Sequence, residues 1–189
     1  MASLDVSSLK KNTKIEIDGH PYVVVDFQFV KPGKGQGLYK CRIKNMITGA
    51  VMDRTWRSGE QFEAANVESK QMQYLFAGSD SFTFMDNESY EQVELSAAVV
   101  GDDKWFLLDN LTVDVLFYND RPVGLSLPSH VIMEITDSEP GVKGDTATNV
   151  TKQATTSTGY QIGVPIFIKI GERIKVDTRT GTYIERVNA

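Results

Sequence analysis

The feature that most constrains this chain is a two-residue alternation of polar and apolar side chains, broken at short intervals by Gly, Asn, Asp or Pro. In Lys14-Ile-Glu-Ile-Asp18 every second residue is apolar, and Asp18-Gly19 supplies a turn before Tyr22–Phe29 returns. Successive side chains of a strand point to opposite faces, so such a run presents one apolar face only in a sheet. A helix would scatter the same residues around its axis. Leu38–Ile43 continues the pattern, with Lys40, Arg42 and Lys44 on one face and Tyr39, Cys41 and Ile43 on the other. Thr48-Gly49 then turns the chain into Val51–Trp56. Four or five strands in about 60 residues suffice for a small barrel.

The same style repeats twice. Gln71–Ala77, Ser81–Met85 and Tyr90–Leu95 read as strands, Ser96 as the cap of a short helix, and Asp103–Leu108 as a helical turn. Thr112–Tyr118 and Pro122–Leu127 flank an Asn119-Asp120 turn. Val131–Thr136 opens a third unit. A loop of about 15 residues from Asp137 to Thr151 follows, of a length that tends to be functional. Strands are expected again at Tyr160–Ile162, Ile166–Ile170, Ile174–Asp177 and Thr182–Val187. The prediction is an all-β chain of three tandem small barrels: an SH3-like (KOW-type) barrel over 1–64, an acidic OB-like domain over 65–127, and an OB-like domain over 128–189. Two domains is the alternative.

Charge divides along the same lines. Residues 1–64 hold ten Lys/Arg against seven Asp/Glu, residues 65–127 hold three against eleven, and residues 128–189 hold seven of each. A basic end on an acidic body suits a local RNA contact, since phosphate attraction acts within a Debye length of about 8–10 Å. Chance fluctuation over short segments gives the same numbers. One cysteine, Cys41, excludes an internal disulfide and a thiolate zinc cluster. No apolar run approaches the roughly 20 residues of a membrane-spanning helix. The start Met1-Ala-Ser-Leu-Asp5 lacks a basic segment followed by an apolar one, so no secretory signal, no membrane and a cytoplasmic location are expected.

The segment Lys31-Pro32-Gly33-Lys34-Gly35-Gln36-Gly37 lies between two strand-patterned runs and is expected at a hairpin tip. Glycines allow positive φ and close backbone approach, and Pro32 stiffens the first arm. Lys34, between two glycines, has no adjacent side chain to pack on. A long cation on a narrow finger suits a cleft lined with phosphates. Two phosphate-loop motifs fail here: Lys34 is followed by Gly35 instead of Ser or Thr, and the glycine pattern opens a strand instead of a helix. A mobile, solvated basic hairpin satisfies the residues equally well.

Phe29-Val-Lys-Pro-Gly-Lys-Gly-Gln36 resembles the modification loop of the bacterial elongation factor P family. Lys152-x-Ala154-x4-Gly159-x2-Ile162-x-Val164-Pro165-x2-Ile168-x2-Gly171 resembles that family's C-terminal pattern at each fixed position. Phe84-Met85-Asp86-x3-Tyr90-Glu91-Gln92 and Glu139–Ala147 fit between them, so the resemblance spans nearly the whole chain. It implies three β-barrels in an L about the shape of transfer RNA. The expected partners are the 70S ribosome with its rRNA, the peptidyl-site tRNA, messenger RNA and a lysine-modifying enzyme. The resemblance implies a site beside the peptidyl-tRNA on ribosomes stalled at consecutive prolines. By position, Lys34 is the residue modified in many members, often by β-lysylation. Gly144-Asp145-Thr146 matches a loop meeting messenger RNA in the exit site, and Tyr183 and Arg186 match positions contacting tRNA or the small subunit. Gly37 departs from the family's more frequent alanine, which is expected to add flexibility and leave the lysine in place.

Lys40, Arg42 and Lys44 are candidate tRNA-backbone contacts, or simply a solvated strand face. His20 and His130 stand alone, so no metal and no cofactor are expected. Glu88, Glu91, Glu94, Asp102 and Asp103 read as solvated, although paired carboxylates could serve glycoside chemistry in a rival hydrolase or sugar-binding reading. No nucleophile–base pair stands out. The expectation is a monomeric positioning factor with no catalytic residue, not an enzyme. The alternative is a paralogue, or a general RNA-binding barrel protein, that needs no lysine modification.

Overall fold

The structure is a computed structural model, and it describes residues 3–141 and 150–187. Among the described residues sixteen strands form three antiparallel sheets in chain order. The first contains β1 (Ser3–Asp5), β2 (Lys14–Ile17), β3 (His20–Val30), β4 (Leu38–Asn45), β5 (Val51–Arg57) and β6 (Gln61–Ala64), ordered β1-β6-β2-β3-β4-β5. Alternation turns Cys41, Ile43 and Trp56 inward onto Val6, Leu9, Ile15 and Val24. Val6 belongs to a 3-10 turn, Val6–Ser8, capped by Asp5, whose carboxylate accepts from the Ser7 N–H at 2.8 Å. Val24 and Phe27 share the core face although they stand three positions apart, which simple alternation would place on opposite faces. A bulge between Val24 and Asp26 accounts for this, because the extra residue resets the alternation.

The second sheet contains β7 (Val67–Ala77), β8 (Ser81–Asp86), β9 (Gln92–Ser96), β10 (Thr112–Tyr118) and β11 (Arg121–Ser126), ordered β11-β10-β7-β8-β9. Ser96 caps a one-turn helix, α1 (Ala97–Val100), accepting from the Val99 N–H at 3.3 Å. A 3-10 helix, Gly101–Phe106, follows. The third sheet contains β12 (His130–Ser138), β13 (Thr151–Thr156), β14 (Gln161–Pro165), β15 (Arg173–Asp177) and β16 (Thr182–Val187), ordered β14-β13-β12-β15-β16. The fold is all-β, and each sheet curls around its own core.

Three details depart from the sequence reading. Ile166–Ile170 is a turn and not a strand. Only Ile168 is buried, while Ile166, Phe167 and Ile170 are exposed, and the Ile168 N–H donates to the Pro165 carbonyl at 3.1 Å. Its place in the sheet is taken by β13, a Thr-rich strand with weak apolar signal. The β1–β6 pairing brings the first and last strands in sequence of the first sheet side by side at one edge, which no local pattern reports. Among the described residues no helix is long and apolar enough to cross a membrane.

The units are joined by packed contacts. Met46, Tyr118 and Val123 form a buried cluster between the first and second sheets, and Tyr118 Oη donates to Glu16 Oε2 at 2.9 Å. Phe106, from the 3-10 helix beside the second sheet, packs into the third core. Thr158 Oγ1 donates to the Trp105 carbonyl at 2.6 Å.

Candidate functional site

Lys34 stands at the tip of the loop joining β3 to β4, and it is exposed together with Lys31, Gly33, Gly35 and Gln36; Pro32 is half-buried. Of the loop's glycines only Gly35 takes positive φ (123°). A Cβ at Gly33 or Gly35 would meet no atom within 4 Å beyond its chain neighbours, so among the described residues the tip has no protein neighbours beside its backbone. Among the described residues Lys31 and Lys34 form no ion pair.

The base of the loop is different. Phe29 stacks on Tyr39 with centroids 4.8 Å apart, and Tyr39 continues to Phe27 at 5.5 Å. Phe29 remains 49% exposed. Gly37 is no source of flexibility. A Cβ there would fall 2.5 Å from the Phe29 ring, and its carbonyl accepts from both the N–H and the hydroxyl of Ser58 at 3.2 Å. Sequence reasoning missed this function for Gly37 because Phe29 on β3 and Ser58 in the turn after β5 reach it from elsewhere in the chain.

The basic face of β4 divides into three fates. Lys40 is exposed and forms no ion pair among the described residues. Arg42 makes a bidentate pair with Asp53 on β5, Nε to Oδ1 at 2.8 Å and Nη2 to Oδ2 at 3.3 Å. That bond raises the Arg42 pKa and holds the Asp53 carboxyl below its usual range. Lys44 is half-buried and donates to the Val99 carbonyl at 2.6 Å, away from the solvated face assigned to it from sequence. Desolvation lowers its pKa, while Asp103 and Asp102 act in the opposite sense. Asp103 is pushed up by its own burial, with Lys44 opposing the shift.

Of the remaining candidates, Tyr183 and Arg186 both stand on β16. Tyr183 packs partly against the third core, whereas Arg186 is exposed, 3.5 Å from Glu172 and with its guanidinium 5.7 Å from the Phe167 ring centre. Gly144, Asp145 and Thr146 lie outside the described residues. Burial raises the Cys41 pKa to about 11, leaving an unreactive thiol. Glu88, Glu91 and Glu94 are exposed around a turn held by Asp86, which accepts from the Glu88 and Ser89 N–H groups. Among the described residues no three His, Cys, Asp or Glu could hold a metal ion. A cleft of about 370 Å³ opens where the three sheets meet, with Lys11, Lys14, Lys44, Asp103 and Arg179 on its walls.

Three family models match in chain order: "Elongation factor P (EF-P) KOW-like domain" over residues 5–62, "Elongation factor P (EF-P) OB domain" over 67–125, and "Elongation factor P, C-terminal" over 131–186. A protein named Elongation factor P from Syntrophus aciditrophicus is 53% identical over 96% of this chain and 97% of its own length. One of the same name from Desulforapulum autotrophicum is 52% identical over 97% of this chain and 98% of its own. Elongation factor P 2 from Geobacter sulfurreducens is 50% identical over 96% and 97%.

Proposed function

The chain belongs to the elongation factor P family, a family of translation elongation factors, and we propose that it binds the 70S ribosome beside the peptidyl-site tRNA and promotes peptide-bond formation at stalled polyproline sequences. Lys34, extended by a lysine-modifying enzyme, is the working group. The observation that carries this reading is the contrast between a tip without protein neighbours and a base packed by Phe29, Tyr39 and Gly37. A firm stem and a bare cationic end fit insertion into a narrow RNA-lined space.

Proline is a constrained acceptor, and a loosely held peptidyl-tRNA wastes encounters with it. A factor that holds the acceptor end in one geometry lowers the entropic part of the barrier. It need supply no acid, base or nucleophile. An added amine-bearing group on Lys34 lengthens its reach and adds hydrogen-bond donors near the RNA backbone. In this reading Lys31 and Lys40 assist at the tRNA backbone, while Arg42 is already paired with Asp53. Gly144, Asp145 and Thr146 toward messenger RNA, and Arg186 with Tyr183 toward tRNA or the small subunit, complete the contacts. The same reading takes residues 1–64, 65–127 and 128–189 as three domains, since each sheet has its own core cluster.

The test is Lys34→Ala in a reconstituted polyproline synthesis assay. The expected result is a loss of rescue of about 100-fold or more, comparable to other losses of reactant positioning, with an unchanged melting temperature. Equal rescue by variant and wild type overturns it. Peptide mass spectrometry across residues 31–40 of protein from its native cell separates the two forms of the reading. A discrete adduct on Lys34 supports the modified factor, and an unmodified lysine supports a paralogue or RNA-binding barrel acting without modification.

A further inference from the structure

Strand β4 links the finger to the junction between the first two sheets. Its first residue, Leu38, adjoins the finger, and Lys44 near its other end donates to the Val99 carbonyl of α1 at 2.6 Å. Val99 lies in the single turn of that helix, so the ammonium reaches the helix backbone itself. The helix ends there because Gly101 takes φ 57°, and a Cβ at that position would already stand 3.6 Å from the Lys44 ammonium.

Beside this bond the Asn45–Ala50 turn presses onto the same helix. Asn45 shapes it, accepting from the Ile47 and Thr48 N–H groups at 2.8 and 3.0 Å and from the Gly49 N–H through its carbonyl at 2.9 Å. Gly49 takes φ 76°, and a Cβ there would fall 2.7 Å from the Ala98 carbonyl oxygen. Two backbones therefore meet at a distance that only glycine allows.

We infer that Lys44 is a positioning residue for Lys34: its bond to Val99, with the Gly49–Ala98 contact, aims the finger by fixing β4 on the middle sheet. The inference rests on the function proposed above for Lys34. From Leu38 to Lys44 the strand spans about 20 Å, and with the loop the lever approaches ~30 Å. A tilt of about 5° at the latch then moves the tip by ~2–3 Å, and misplacement of that size is enough to cost a positioning catalyst about 100-fold.

The experiment compares Lys44→Met, which keeps length and removes charge, with Lys44→Arg, which keeps a donor. Polyproline synthesis is measured against factor concentration, and residual dipolar couplings report the orientation of the first sheet on the second. For Lys44→Met the maximal rate should fall about 10-fold or more, as expected for loss of positioning. The half-saturating concentration should stay within about twofold, and the couplings of the two sheets should no longer fit one orientation. Lys44→Arg should restore both readouts. A raised half-saturating concentration with unchanged maximal rate, and a salt dependence of ribosome binding reduced by about one counterion, would instead mean that Lys44 meets an RNA phosphate. Unchanged rate and couplings also overturn the inference. If Lys44→Met does not fold, Gly49→Ala displaces the same contact without touching a charge, and wild-type orientation in that variant counts against the latch. If wild type itself gives no rescue, the functional reading fails while the couplings still decide whether the latch exists.

Discussion

The two ends of strand β4 use the same side chain in opposite ways. Beyond its first residue, the loop carries Lys34 into open space, with no atom within 4 Å of where a Cβ on either flanking glycine would lie. Near its last residue, Lys44 is half-buried and committed to a carbonyl of α1, the helix that follows β9. A charge kept in water is free to meet an external phosphate, while one partly withdrawn from water must be satisfied within the chain. Glycine shows the same division: Gly33 is replaceable on steric grounds, and Gly49 is not.

That difference is easiest to break with a methyl group. Gly49→Ala meets both a left-handed φ and a 2.7 Å approach to the Ala98 carbonyl, and should cost about 2–3 kcal/mol. Gly33→Ala has neither obstacle and should change stability by less than about 0.5 kcal/mol. Urea unfolding of both variants decides the matter. Equal losses would mean that the tip is as constrained as the junction.

A smaller effect is expected at the second contact between these sheets. Tyr118→Phe deletes the hydroxyl that donates to Glu16 at 2.9 Å and should cost about 1–2 kcal/mol at pH 7. The bond to Glu16 raises the Tyr118 pKa, followed by desolvation. Its contribution is therefore complete below the ordinary tyrosine value and is lost as pH rises through the raised one. Unfolding of wild type and variant should converge in that alkaline range. A gap that persists there would place the stabilisation in ring packing instead of the hydroxyl.

What could be read from the sequence follows the same line between local and distant causes. The finger was legible because Pro32, Gly33, Lys34 and Gly35 act on their own backbone and immediate neighbours. So was the Ser96 cap, which bonds the Val99 N–H, and the Asn119-Asp120 turn, where both residues take positive φ. Lys44 was not legible, because its alternation with Cys41 and Ile43 says which face it occupies but not that α1 covers that end of the face. Gly37 and the bulge at Val25 were hidden for the same reason: Phe29, Ser58 and β4 reach them across the sheet. Ile166–Ile170 misled in the other direction, since its apolar residues suggested a strand where a turn buries only Ile168.

The mildest test concerns Arg179, on the wall of the cleft where the sheets meet. Its guanidinium is well exposed, yet it pairs with Asp177 at 2.9 Å, and its own N–H donates to the same carboxylate at 2.8 Å. The side-chain bond is the larger cause that holds the Asp177 pKa at about 2, followed by the backbone bond. A lowered acid contributes stability above its unfolded value and loses it as pH falls, so the window here runs from about 4 down to about 2. Exposure keeps the stability change small, but a carboxyl carbon NMR titration reads the site directly. Arg179→Ala should return Asp177 only part of the way toward 3.8, because the backbone donor remains. A full return would assign the shift to the guanidinium alone. No return would mean that the turn backbone sets it and that the guanidinium contributes nothing to the shift.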